Sequence, residues 1–169
     1  TSAQTYREAL ACWEQGDYAQ AMALFQNLGV YADSAQRRAD VASRYQTADE
    51  LMQEGDLTGA QALYGGLYNY EDRAQRLEQI NALLVYEEAD AYYEKGDFER
   101  AVDAYAAISQ RKDLSEKASL GMAKSYYAWA VQRFEAEDYE QCLTLVNRLA
   151  ALQAYLPADN SEAAMRETC

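Results

Sequence analysis

The side chains that could do acid–base or metal chemistry are unevenly supplied in this sequence. There is no histidine, so the usual general base near neutral pH and the commonest metal ligand are both missing. Carboxylates are plentiful, with Glu87 beside Glu88 and Glu135 near Glu137. Residues one or two apart on a helix point in different directions, however, and do not converge on a substrate. The chain carries no glycine-rich phosphate loop followed by lysine, no nucleophile elbow and no loop of alternating acids for calcium. Cys12, Cys142 and Cys169 are odd in number and far apart, which fits neither a CxxC metal pair nor a dense disulfide framework. Cys12 and Cys142 read as small buried hydrophobes. The expectation is a non-enzymatic protein with no metal and no cofactor. A carboxylate enzyme would need acids that meet only in three dimensions.

Charge narrows the partners. Twenty-eight acids against fifteen bases give a formal charge of −13, and so negative a surface repels phosphate backbones. Neither nucleic acid nor an anionic membrane is expected; a basic protein segment is the better electrostatic match. The longest uncharged apolar runs, such as residues 80–86, are far shorter than a membrane span requires. Unpaired thiols point to a cytoplasmic setting, while a start at Thr1 without methionine or leader suits a piece of an exported or anchored protein.

What must position any functional residue is a repeat. Gly16-Asp17-Tyr18 returns as Gly55-Asp56-Leu57, as Gly96-Asp97-Phe98 and, with its glycine lost, as Glu137-Asp138-Tyr139, at steps of 39, 41 and 41 residues. Ten positions before each turn stand Tyr6, Tyr45, Tyr86 and Tyr127; seven before, Ala9, Ala48, Ala89 and Ala130; three before, Trp13, Met52, Tyr93 and Phe134. At 100° per residue these offsets form one stripe, the packed side of a helix ending at the turn. Five positions after it come Ala21, Ala60, Ala101 and Cys142; nine after, Phe25, Tyr64, Tyr105 and Val146; twelve after, Leu28, Leu67, Ile108 and Leu149. That is a second amphipathic helix, so each unit is a helical hairpin and a strand has no place in the chain.

Turn chemistry agrees. Gly16, Gly55 and Gly96 supply a left-handed residue, and the following aspartate caps the next helix. Asp17 with Gln20 and Asp138 with Gln141 have the spacing of a reciprocal cap, as do Asp33 with Gln36, Asp72 with Gln75 and Asp113 with Glu116 between units. First helices are predicted from about Ser34, Arg73 and Leu114 to their turns, and second helices at about 12 residues.

The pattern Tyr6, Ala9, Gly16, Tyr18, Ala21, Phe25, Leu28 resembles the tetratricopeptide repeat, and Leu28-Gly29-Val30-Tyr31-Ala32-Asp33-Ser34 is similar to the junction of bacterial tetratricopeptide-like arrays. The period exceeds the family's 34 residues and no proline closes each unit. The resemblance implies an all-α, right-handed α-α superhelix (an α-solenoid) of about four hairpins, with units at about 1–32, 33–71, 72–112 and 113–156. A C-terminal cap at 157–169, a short helix after Pro157, would cover the last flank in this single repeat domain. It further implies a protein- or peptide-binding scaffold, one module of a larger bacterial protein, whose concave face is lined by first helices. A chaperone-like holder of an exported client and a structural spacer or self-assembly domain are the alternatives.

Ligand-face candidates follow from the tyrosine column and the residues four later on the same helix face: Tyr6 with Leu10, Tyr45 with Asp49, Tyr86 with Asp90, and Tyr127 with Val131. An acidic centre with aromatic walls would take a lysine- or arginine-bearing peptide by ion pairing and cation–π contact. Glu50, Glu54, Glu87, Glu88, Glu94, Glu135 and Glu137 add acids to the C-terminal halves of first helices, where the helix dipole is already negative. Arg37, Arg38, Arg44, Arg73 and Arg76 occupy the opposite halves.

Overall fold

A period of alternating long and short amphipathic stripes, punctuated by glycine and aspartate, can bury its apolar columns only by folding each pair of helices back on itself. The computed structural model describes residues 1–155, and these are helical with no strand among them. The chain is therefore all-α. The hairpins are α1 (Ser2–Glu14) with α2 (Tyr18–Leu28), α3 (Ser34–Glu54) with α4 (Leu57–Gly65), α5 (Arg73–Glu94) with α6 (Phe98–Ile108), and α7 (Ser115–Glu135) with α8 (Tyr139–Ala150). A 3-10 turn, Gln153–Tyr155, follows. First helices begin within one residue of the expected positions. Second helices come near the expected length except α4, which stops at its own Gly65-Gly66 pair. Pro157 and the expected capping helix lie outside the described residues.

By compactness the chain divides into Thr1–Leu83 and Leu84–Cys169, the division falling inside α5. In the first unit α1 packs on α2, α2 on α3 and α3 on α4; in the second, α7 packs on both α6 and α8. Ala9, Ala21, Ala48, Ala60, Ala89, Ala101 and Ala130 are all fully buried, because only a small side chain lets the two helix backbones of a hairpin approach. Phe25, Tyr64 and Leu67 fill the first core, and Leu145, Val146 and Leu149 the end of the second. Trp13 stacks on Tyr18 at 4.4 Å, and Tyr68 covers Tyr18 in turn. Cys12 is a half-buried free thiol. Cys142 is fully buried but disulfide-bonded, where the sequence suggested an unpaired thiol.

The four hairpin turns are built from the same bonds. Asp17 N–H donates to Cys12 O at 2.9 Å and Gly16 N–H to Trp13 O at 3.1 Å, a six-to-one and five-to-two pair that closes a helix on a left-handed residue. The pair recurs from Asp56 and Gly55 to Leu51 and Met52, from Asp97 and Gly96 to Tyr92 and Tyr93, and from Asp138 and Glu137 to Arg133 and Phe134. Gly16, Gly55 and Gly96 have φ of 77°, 87° and 76°, and Glu137, where glycine is missing, adopts the same region at 60°. Each aspartate then caps the next helix, accepting from the N–H of Gln20, Gly59, Arg100 or Gln141. The reciprocal half of the expected cap is not needed, since the aspartate's own N–H is already committed to the preceding helix.

Between hairpins the expected caps are corrected. Asp33 sits at the N-cap of α3 but makes no side-chain cap, and Leu114, not Asp113, is the N-cap of α7, again without one. The carboxylates of Asp33 and Asp72 are drawn instead to a tyrosine hydroxyl and an arginine, the arginine adding a full positive charge that a backbone N–H lacks. Asp113 turns to Arg111.

Candidate functional site

Two tyrosine–aspartate arrangements repeat along the first helices. Within hairpins, Tyr64 donates its hydroxyl to Asp49 at 2.5 Å, and Tyr105 donates to Asp90. Tyr64 is fully buried and Tyr105 nearly so; burial first, and then the adjacent carboxylate, push both phenols far up. Where the first helix carries Leu10 or Val131 in place of aspartate, the second carries Phe25 or Val146, with no hydroxyl to satisfy. The acid thus accompanies the buried phenol, as a buried polar group needs a partner.

Between hairpins of the first unit, Tyr6 donates to Asp33 at 2.5 Å and Arg37 pairs with the same carboxylate at 3.0 Å. Thirty-nine residues on, Tyr45 donates to Asp72, and Arg76 pairs with it at 3.2 Å. The tyrosine hydroxyl and then the arginine hold Asp33 below the usual carboxylate range, and the hydroxyl lowers Asp72 likewise. Both preceding junctions contain two left-handed residues, Gly29 and Ala32 in one, Tyr68 and Glu71 in the other, which aim the aspartate back at the tyrosine.

The second unit departs from this pattern. Its junction, residues 109–114, has no left-handed residue, Asp113 pairs with Arg111 at 3.2 Å, and the Tyr86 hydroxyl makes no hydrogen bond among the described residues. Counted from the preceding turn, Lys117 stands where Arg37 and Arg76 stand, and Gly121 where the fully buried Val41 and Ile80 stand. A Cβ on Gly121 would lie 2.5 Å from the Tyr105 ring. The result is a cleft of about 110 Å³ with Tyr86, Tyr93 and Leu120 on its walls, Tyr105 and Gly121 at its base, and Lys117 and Lys124 beside it. Asp90 also lines it, its carboxylate engaged by Tyr105. Lys117 and Lys124 are exposed and make no ion pair among the described residues.

The ligand-face candidates therefore fall into three settings. Tyr6 and Leu10 pack on Ala9, Ala21 and Phe25; Tyr127 and Val131 pack on Ala130, Cys142 and Val146. Tyr45 and Asp49 are half-buried around Arg76, which approaches Asp49 to 3.7 Å. Tyr86 and Asp90 share the cleft. The turn positions Gly16, Gly55, Gly96, Ala21, Ala60 and Ala101 occupy the turn and core places described above. Sequence reasoning missed Lys117, Gly121 and Lys124, because they are registered from the turn before their helix and were aligned only with the turn after it.

No group of three or more metal-ligating side chains comes together among the described residues, and none of their helices is long and apolar enough to cross a membrane. No protein-family model and no curated protein matches the sequence. The four hairpins are thus best compared with one another.

Proposed function

We propose that this chain is a tetratricopeptide-like α-solenoid acting as a non-enzymatic scaffold that binds an extended polypeptide along its first helices. The observation that carries the reading is the turn repeated four times with the same bonds, made even where Glu137 replaces glycine. A repeat conserved at that level of detail within one chain belongs to a stacked array, in which each hairpin shields its neighbour and leaves a continuous surface for a ligand. Of the tyrosines ten residues before each turn, Tyr6 and Tyr45 spend their hydroxyls on Asp33 and Asp72, while Tyr86 keeps an aromatic body with a polar tip suited to a peptide backbone. Attraction for a basic partner does not rest on Asp49 and Asp90, whose carboxylates hold Tyr64 and Tyr105.

The test is direct binding of the full chain to immobilised extended peptides, one basic, one acidic and one apolar, at low and high salt. Saturable binding that weakens with salt supports recognition by charge. Salt-insensitive binding of the apolar peptide alone points instead to the chaperone-like holder. Absence of peptide binding, together with concentration-dependent self-association in sedimentation, overturns the reading in favour of a spacer or assembly domain.

A further inference from the structure

Although the protein as a whole is strongly acidic, the cleft between α5 and α7 has two free ammonium groups over one carboxylate that is already hydrogen-bonded. We infer that this cleft is a subsite for an acidic, extended peptide segment, whose carboxylates pair with Lys117 and Lys124 while an apolar side chain between them enters above Gly121. The inference rests on the scaffold reading and gives its ligand a chemistry opposite to the one the sequence suggested.

Geometry sets the ligand. Lys117 and Lys124 are seven residues apart on one helix, so their stems rise about 10 Å from one to the other along one face of α7. Acids two to four residues apart in an extended chain lie roughly 7–13 Å apart, within the reach of flexible lysine stems. Between the lysines, one turn apart from each, lies the Leu120–Gly121 step, where the glycine lets the Tyr105 ring lie against the helix backbone as the base of the cleft, and the rings of Tyr86 and Tyr93 line the space that remains. A dry cavity of roughly 150 Å³ accepts benzene, so about 110 Å³ suits a valine- or leucine-sized group. The free Tyr86 hydroxyl adds a donor for a carboxylate or a peptide carbonyl. In the first unit the equivalent place is closed: Arg76 is held by Asp72 and Asp49, and Ile80 fills the position of Gly121. The subsite is therefore particular to the second unit.

The experiment uses the full chain and three labelled heptapeptides, Gly-Glu-Glu-Leu-Glu-Glu-Gly and its all-glutamine and all-lysine counterparts, followed by fluorescence anisotropy at low and moderate salt. The glutamate peptide should bind more tightly than the glutamine peptide by roughly two- to thirtyfold, the range for two exposed ion pairs, and the difference should shrink with salt. Lys117→Gln with Lys124→Gln, both on exposed side chains, should abolish that difference while helical circular dichroism stays unchanged. Equal binding of the glutamate peptide by the double variant overturns the subsite and leaves the scaffold standing, as does preference for the lysine peptide. Failure of all three peptides, and of the immobilised set above, overturns both.

Discussion

The hydroxyl of Tyr64 on α4 donates to the carboxylate of Asp49 on α3 across 2.5 Å, and the same bond joins Tyr105 to Asp90 in the next hairpin. Asp49→Leu alone should destabilise the protein by about 1–3 kcal/mol, because it strands a buried phenol hydroxyl. Combining it with Tyr64→Phe installs the pair that the first hairpin uses, Leu10 with Phe25, and should recover most of the loss. Urea unfolding of the two single variants and the double measures the coupling; additive losses would show that the bond is not what links the residues.

Glu137 occupies a left-handed conformation that its three counterparts give to glycine, at φ of 60°. The clash of a β-carbon in this region costs about 1–2 kcal/mol. Glu137→Gly should therefore stabilise the protein by about 1 kcal/mol in chemical denaturation, with no change in peptide binding. A loss of stability would mean that the Glu137 side chain makes a contact worth more than the backbone strain.

Gly121→Ala tests the base of the cleft. Alanine favours a helix over glycine by about 1 kcal/mol, yet its β-carbon would sit 2.5 Å from the Tyr105 ring, and overpacking of this kind costs roughly 1–3 kcal/mol. The expected net effect is a lower thermal midpoint together with weaker binding of the acidic peptide. A higher midpoint would show that the ring yields freely.

Stability should fall at both extremes of pH. Asp17, Asp33, Asp72 and Asp113 are held below the normal carboxylate range by Asn69, Tyr6, Tyr45 and Arg111 respectively as the leading cause. A depressed carboxylate favours the folded state above the unfolded pKa, about 3.9, and that contribution disappears as pH drops through the folded value. In the alkaline direction, Tyr64 and Tyr105 stay protonated when folded but ionise when unfolded, so stability declines as pH rises above about 10. Denaturant midpoints from pH 7 to 2 and from pH 8 to 12 check both limbs. Tyr64→Phe with Tyr105→Phe should flatten the alkaline one, and an unchanged slope there would contradict the assignment.

Much of this was legible in the residues because helices and turns are local. The glycine–aspartate turn, the alanine columns and the first-helix starts at Ser34 and Arg73 all follow from offsets within one unit. The Tyr64–Asp49 bond was written there too, in the matched exchange of Leu10 with Phe25 and Val131 with Val146, but as a relation between two columns and not within one. Asp33 and Asp72 misled for a different reason: aspartate three residues before glutamine suits a helix cap and a tyrosine acceptor equally well, and only the left-handed Ala32 and Glu71 decide between them. The cleft was hidden because Gly121 lacks a side chain, and a missing side chain leaves no trace in an apolar pattern.

The aspartate at each hairpin turn ends one helix with its N–H and begins the next with its carboxylate, so a single residue locks the two rods to each other at a fixed phase. Adding one residue there would swing the second rod by about 100° and roll Ala21 or its counterpart out of the seam. Lengthening a junction between hairpins breaks no such double commitment. The steps of 39 and 41 take up their two residues inside the first helices, where Val41 stands four residues before Tyr45 but Ile80 and Gly121 stand six before Tyr86 and Tyr127, while every hinge pin keeps one length.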